Sequence, residues 1–313
     1  MLPTKKEVEK AYKRVKPFVH NTPVLKSSFI NELSGAEIFF KCENFQKMGA
    51  FKMRGATNAI LELSKENRQA GVVTHSSGNF AQALSLSAKN LGVKAFIVMP
   101  KTAPKVKKEA VLGYNGIVFE SESTTESRRL EAERIQTETG ATFIHPSNSK
   151  DVILGNATSA VELLKKHPNL DALITPVGGG GLVAGTALAA EFFGVNCKTF
   201  GGEPFAADDA FRSLQTGEIA FNKTTNTIAD GLKTHLGDIN FPIIKKLVSE
   251  IIRVEEEEIV AAMKLIYERL KIVVEPSSAV AFAALLRNKK AFQNKKVGII
   301  LSGGNVDLAN LPF

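Results

Sequence analysis

Tryptophan is absent from the 313-residue chain, tyrosine occurs three times and cysteine only twice. With Cys42 and Cys197 alone and far apart, neither a disulfide framework nor a cysteine-based zinc site is suggested. A run of about 20 apolar residues is also missing, so no membrane-spanning helix is expected. The opening stretch, "MLPTKKEVEKAYKRVKPFV", is charged too early and too often for the apolar part of a secretory signal. It reads as an amphipathic surface helix, and a reducing cytoplasm is the expected location. Lysine and arginine outnumber the acids, 40 to 32, for a net charge of +8. No basic run is interleaved with aromatics, so nucleic-acid binding is not expected. The charge reads as surface bias with an anionic small molecule inside. A non-catalytic anion- or nucleic-acid-binding protein is the rival, and steep salt dependence of RNA or DNA binding would mark it.

What is present is an ordinary globular composition, 44% hydrophobic and 23% charged, with length enough for two domains. Short β-branched runs alternate with helical patterns. "GVVTH", "KAFIVMP", "GIVFE" and "ATFIHP" read as strands between 71 and 146, and "DALITPV", "CKTFGGEP" and "VGIILSG" follow later. Such alternation predicts βαβ units, hence parallel sheets with helices on both faces. The layout suggests a small domain at 70–148 inserted into a large one made of 1–69 and 149–313, with a cleft between them. The acidic run at 255–258 suits the N-terminal dipole of a helix.

Three loops and one lysine carry the chemistry. Lys52, in "FQKMGAFKMRGAT", lies among apolar and small residues, a setting for a desolvated, reactive amine or for a snorkelling side chain. The strand "DALITPV" runs into Gly178, Gly179, Gly180 and Gly181 and then an apolar helix. Four glycines there point to bare amides and a helix dipole holding a phosphate. The stretch from Gly179 to Ala184 also fits G-x-G-x-x-G/A, with Glu203 beyond the next strand, so a nicotinamide-dependent dehydrogenase is a real alternative. "GVVTH" ends in Ser76, Ser77, Gly78 and Asn79 at a helix start, which suits a carboxylate or is a plain serine cap. "VGIILSGGNVD" brings Ser302 to a strand end. An active lysine, a phosphate cradle and a carboxylate site together suit pyridoxal phosphate and an amino-acid substrate.

The set "FQKMGAFKMRGATNA", "VVTHSSGN", "PVGGGGL", "ADGLKT", "VEPSSA" and "LSGGNVD", in this order, resembles the serine racemase/threonine dehydratase family. The resemblance spans nearly the whole chain. It implies an α/β fold of pyridoxal phosphate fold-type II, tryptophan synthase β-like: two open, twisted, mostly parallel sheets flanked by helices, with the active site between large and small domains. It further implies that Lys52 forms the Schiff base with the cofactor and then acts as base on one face of Cα, while Ser77 serves the other face. Asn79 is implied to contact the ring's 3′-oxygen, Gly178 to Gly181 the phosphate, and Ser302 the pyridine nitrogen, with Phe51 and Leu182 also at the cofactor. The substrate is implied to meet Ser76, Ser77, Gly78, Asn79, the amide of Phe80, Arg128 and Thr234. Glu203, the carbonyl of Ala207 and Asp209 match a Mg²⁺ or Ca²⁺ site of the racemase branch, oxygen donors that suit a hard cation.

The chain departs from the family pattern in carrying Phe80 for a common histidine, Ala50 for a common serine, and "ILGNATSA" for a Gly-Gln-Gly-Thr run. These departures bear on substrate choice more than on cofactor chemistry. His75 and His145, at strand ends, read as structural or as supports behind the residues that contact the ligands. The expected reaction is β-elimination of L-serine or L-threonine to a 2-oxo acid and ammonia, with serine racemisation beside it. Hydroxyaspartate dehydration is the alternative within the family. A homodimer is expected, and a nucleotide effector is left open.

Overall fold

The β-branched and aromatic runs become strands, and their order builds two separate sheets in the computed structural model, which describes residues 2–103 and 105–313. The strands are β1 (Val24–Leu25), β2 (Glu37–Cys42), β3 (Val72–His75), β4 (Ala95–Pro100), β5 (Ile117–Ser121), β6 (Thr142–Phe143), β7 (Ala172–Pro176), β8 (Lys198–Pro204), β9 (Val248–Val254) and β10 (Lys296–Leu301). One sheet has the order β1-β2-β10-β7-β8-β9 and the other β5-β4-β3-β6. Every pairing is parallel except β1 with β2. The family's doubly covered α/β architecture is therefore present.

Parallel strands are buried on both faces, which is why their sequences are continuously apolar. In the four-stranded sheet Val72 and Ile97 pack with Ile60, Phe80 and Leu84 on one side. Their neighbours Val73, Phe96 and Val98 pack with Ala132 and Ile135 on the other, as side-chain alternation requires. The opening segment is the helix Lys5–Val15, capped by Thr4 and Glu7, and it buries Val8, Ala11 and Val15 along one stripe. The acidic run opens the helix Glu256–Leu270, where Glu255 and Glu258 form a capping box.

Two expectations are corrected. "ATFIHP" shrinks to the two residues of β6, because Pro146 has no N–H and the ring of His145 takes the amides of Ser147 and Asn148, turning the chain. Three strands are not among those read from the sequence: β1 is too short to show a pattern, "EIFFKC" carries too few β-branched residues to stand out despite Gly35 before it, and "VSEIIRV" lacks flanking glycine or proline.

A buried ionic knot ties the helix Lys52–Glu62 to its surroundings. Arg54 is fully buried; its Nε donates to Glu43 at 2.7 Å, and its terminal nitrogens reach Glu162 at 2.8 and 2.9 Å. Lys41 donates to Glu162 at 2.6 Å, and Thr22 to Glu43 at 2.6 Å. Two cations and two carboxylates leave no net charge inside. Replacing Glu162 with alanine takes a carboxylate from both buried cations and leaves one positive charge uncompensated, so a loss of roughly 3–5 kcal/mol is expected in urea unfolding. A loss below about 1 kcal/mol would mean that the pairs do not hold this junction.

Candidate active site

The chain is bent at Met48 and Gly49, both in the left-handed region at φ 55° and 76°. That turn lets residues 49–51 run beside the end of β10. Gly304 donates to the carbonyl of Gly49 at 2.9 Å, Phe51 donates to the carbonyl of Ser302 at 2.9 Å, and Ala50 bridges Gly303. Lys52 thus begins its helix next to Ser302. Its amine lies 5.1 Å from the ring of Phe51 and 5.6 Å from that of Phe80, and it donates to the carbonyl of Pro146 at 2.8 Å. Burial pushes its pKa down to about 8, against the opposing pull of Glu275. The amine is turned inward onto a carbonyl and two rings, as the desolvated reading expects, while the residue as a whole is half-buried.

The glycine loop follows β7 and opens the buried helix Gly181–Phe193. Gly180 takes φ 79°, and a side chain at Gly179 or Gly181 would collide with Ser147. Close packing thus excludes side chains while leaving the backbone bare. The amides of Gly178, Gly179, Gly180, Gly181, Leu182 and Val183 donate to no protein acceptor among the described residues, although all six residues are buried. Buried donors of this kind require an acceptor, and at a helix N-terminus that acceptor is an anion. A phosphate fits this cradle. Thr234 and Ser147 flank Gly179, and Asn240 donates to the carbonyls of Gly179 and Ser147 at 2.8 and 3.3 Å. Sequence reasoning missed Ser147 and Asn240, which are distant in the chain from every glycine they hold.

The serine loop differs from a plain cap. The cap of the helix Asn79–Leu91 is Gly78, and no side chain closes it. Ser76 takes the amide of Gly78 at 3.4 Å, so Ser77 is left with a role other than capping. The amides of Ser77, Asn79 and Phe80 have no acceptor among the described residues, a second anion-seeking helix start. Phe80 itself is 2% exposed and packed in the core behind this loop. Arg128, on the helix Thr125–Thr139, donates from Nε to the carbonyl of Thr124 at 3.4 Å. The pKa of His75 is lowered by burial and, to a lesser degree, by the charge of Arg128.

Glu275 was not singled out from the sequence, although it lies in the "VEPSSA" motif. It is 5% exposed and receives the amide of Asn79 at 2.9 and 3.1 Å, while its own N–H donates to Gly303 at 3.1 Å. Asn305 in turn donates to Asn79 at 2.9 Å. A fixed chain of polar groups thus links the serine loop to the end of β10.

Glu203 and Asp209 are both fully buried, and neither is paired with a lysine or arginine among the described residues. The oxygens of Glu203 accept the amides of Ala210 and Phe211 at 3.0 and 2.9 Å, and those of Asp209 accept from Asn222 and Leu236 at 2.6 and 3.3 Å. Each of these oxygens keeps a second lone pair, so the bonds leave both carboxylates able to take a further ligand. No group of three or more histidine, cysteine or acidic side chains that could hold a metal occurs among the described residues. Nor is any helix there long and apolar enough to cross a membrane.

Comparison with known proteins agrees with this geometry. A family model described as "Pyridoxal-phosphate dependent enzyme" matches residues 15–303. A serine racemase of Dictyostelium discoideum is 49% identical over 98% of this chain and 96% of its own length. A beta-hydroxyaspartate dehydratase of Paracoccus denitrificans is 46% identical over 100% and 99%. A crystal structure of serine racemase from Dictyostelium discoideum superimposes with a TM-score of 0.93 at 50% identity, covering 97% of this chain and 98% of that one.

Burial lifts the pKa of Glu275 from 4.5 to about 7, the bond from Asn79 opposing it. In the cofactor-free protein the folded state therefore keeps a proton that the unfolded chain releases between these values. The contribution is full below pH 4.5 and is lost as pH rises through 7. Unfolding free energies of wild type and Glu275→Gln, from urea curves across this window, are expected to converge or cross, wild type falling relative to the variant by at most about 1.4 kcal/mol per pH unit. A constant difference would show that the carboxyl titrates normally.

Proposed function

The chain belongs to the family of pyridoxal-phosphate dependent enzymes, and from that premise we propose that it removes the Cα proton of small β-hydroxy amino acids. The outcomes are elimination, turning L-serine or L-threonine into a 2-oxo acid and ammonia, and inversion of serine. One observation carries the reading: Pro146 accepts the desolvated amine of Lys52, and the next residue, Ser147, packs on the unpartnered glycine loop. An amine for a carbonyl and a cradle for a phosphate thus meet through two adjacent residues.

When bound, pyridoxal phosphate supplies a carbonyl that condenses with amines and a ring that draws negative charge from Cα. In the proposed roles, the amides from Gly178 to Leu182 hold the phosphate, Asn79 orients the 3′-oxygen, and Ser302 meets the pyridine nitrogen. Phe51 and Phe80 keep water from the amine of Lys52, whose lowered proton affinity leaves more of it free as a base near neutral pH. The substrate carboxylate is held by Ser76 and by the amides of Ser77, Asn79 and Phe80. Lys52 takes the proton on one face of Cα, and the hydroxyl of Ser77 gives or takes it on the other. The β-substituent faces Arg128 and Thr234. Arg128 supports a second substrate class, 3-hydroxyaspartate, since a guanidinium matches a carboxylate there.

The proposal extends to organisation. Residues 70–148 form the small domain, and 1–69 with 149–313 the large one. Free Cys42 and Cys197 fit a reducing cytoplasm. Exposed Phe45 and Val273, joined where Asn44 donates to the carbonyl of Val273 at 3.0 Å, suit a homodimer face. Glu203, the Ala207 carbonyl and Asp209 hold a divalent cation, supported by two buried carboxylates without a basic partner.

Ser77→Ala tests the two-face chemistry. L-to-D serine conversion is expected to fall by roughly 10²–10⁴-fold, and L-serine, L-threonine and 3-hydroxyaspartate elimination much less. Because Ser77 caps nothing, the melting temperature is expected to stay unchanged. A parallel fall of inversion and elimination would leave a dehydratase without a second acid/base group.

Chelation tests the cation. EDTA is expected to lower the melting temperature of wild type, because a ligand bound only to the folded state stabilises it. The Glu203→Gln/Asp209→Asn double variant is expected to be insensitive. Equal responses of the two proteins would exclude the site.

A further inference from the structure

His145 stands where the chain leaves the four-stranded sheet and turns toward the helix Lys150–Lys166. Its Nδ1 accepts two amides, from Ser147 at 3.2 Å and Asn148 at 2.8 Å. An Nδ1 that accepts carries no proton, so the ring is the neutral tautomer with its hydrogen on Nε2. Burial, together with the neighbouring charges of His75, Lys52 and His235, opposed by Asp238, holds its pKa down at about 4 and preserves that state near neutrality. The ring is kept in place edge-to-face with His75 at 6.0 Å and Phe143 at 6.3 Å.

Every residue of the turn so closed points at a different part of the site. Pro146 presents its carbonyl to the amine of Lys52 at 2.8 Å. Ser147 fills the space that side chains at Gly179 and Gly181 would need. Asn148 accepts the amides of Ile239 and Asn240 at 2.9 and 3.2 Å, and Asn240 reaches back to the carbonyl of Gly179 at 2.8 Å. Proline alone does not account for this geometry. Fixing its φ restricts one bond, whereas the double acceptor closes the two residues after it.

We infer that His145 is a positioning residue that sets the Lys52 amine and the glycine loop in register through the turn 145–148. The inference rests on the proposed cofactor role of these two elements. It assigns His145 no contact with substrate and no proton transfer.

His145→Phe keeps the ring and removes the acceptor; His145→Asn restores an acceptor of the kind that closes Asx turns. Two readouts distinguish positioning from mere folding. The first is the pH profile of Lys52 acylation in cofactor-free protein. The second is the dissociation constant of pyridoxal phosphate by equilibrium dialysis. In His145→Phe the proton affinity of Lys52 is expected to drop roughly tenfold as the ammonium loses its carbonyl acceptor, and cofactor binding to weaken on the order of tenfold. His145→Asn is expected to return both most of the way. An unchanged Lys52 profile and cofactor affinity in His145→Phe, with only a lower melting temperature, would overturn the inference. Should that variant not fold, His145→Ala is read by the same criteria. Failure of wild type to bind pyridoxal phosphate would sink the parent reading instead, while the Lys52 profile would still decide the role of His145.

Discussion

Arg54, buried between Glu43 and Glu162, is the interaction on which the site depends. It sits two residues beyond Lys52 on the same helix, and its partners come from the segment after β2 and from the helix Lys150–Lys166. A guanidinium taken out of water tolerates little displacement, because each lost bond leaves a buried charge exposed to a low-dielectric interior. The start of the helix is therefore held on two sides. Lys52, whose own amine donates to a carbonyl rather than to a carboxylate, inherits that rigidity. In the proposed mechanism reactivity and stability are thus separated: neutralised charge fixes the helix, and a neighbouring amine is the group assigned to the chemistry.

The same division of labour recurs around the cleft. The glycine loop and the serine loop offer rows of unpartnered amides, which seek anions without bringing a full positive charge. Side chains do the opposite work of holding loops: Asn240 on Gly179, Asn79 on Glu275, Asn305 on Asn79. Amides of asparagine suit this task because they donate and accept at once without titrating. The groups that do titrate, Lys52 and Glu275, are moved toward neutrality mainly by burial.

Much of this was legible in the chain. The strand "DALITPV" followed by four glycines, and "GVVTH" followed by "SSGN", carried both helix-start anion sites, because strand, loop and helix are contiguous. Lys52 stood out by its apolar neighbours. What failed did so for definite reasons. Ser76 and Ser77 looked equally like caps, and only backbone geometry shows Gly78 at that position. β9 was hidden because it follows the helix Phe241–Leu247 without a turn. Glu275 was passed over, and His145 read only as structural or supporting, since nothing local reveals that Asn79, nearly two hundred residues earlier, donates to the one. The turn closed by the other is equally silent about Lys52.

Local chemistry is what the amino-acid order determined alone: alternation of strand and helix, bare amides at two helix starts, and a lysine set among apolar and small residues. These follow from periodicity and from residues adjacent in the chain, so no tertiary information was needed. The partners that come from distant parts of the chain were decided only by folding. Ser147 against the glycines, the carbonyl of Pro146 on Lys52 and Ser302 beside the helix start all depend on how two sheets are brought together. Such contacts join residues with no shared pattern, and packing geometry alone selects them.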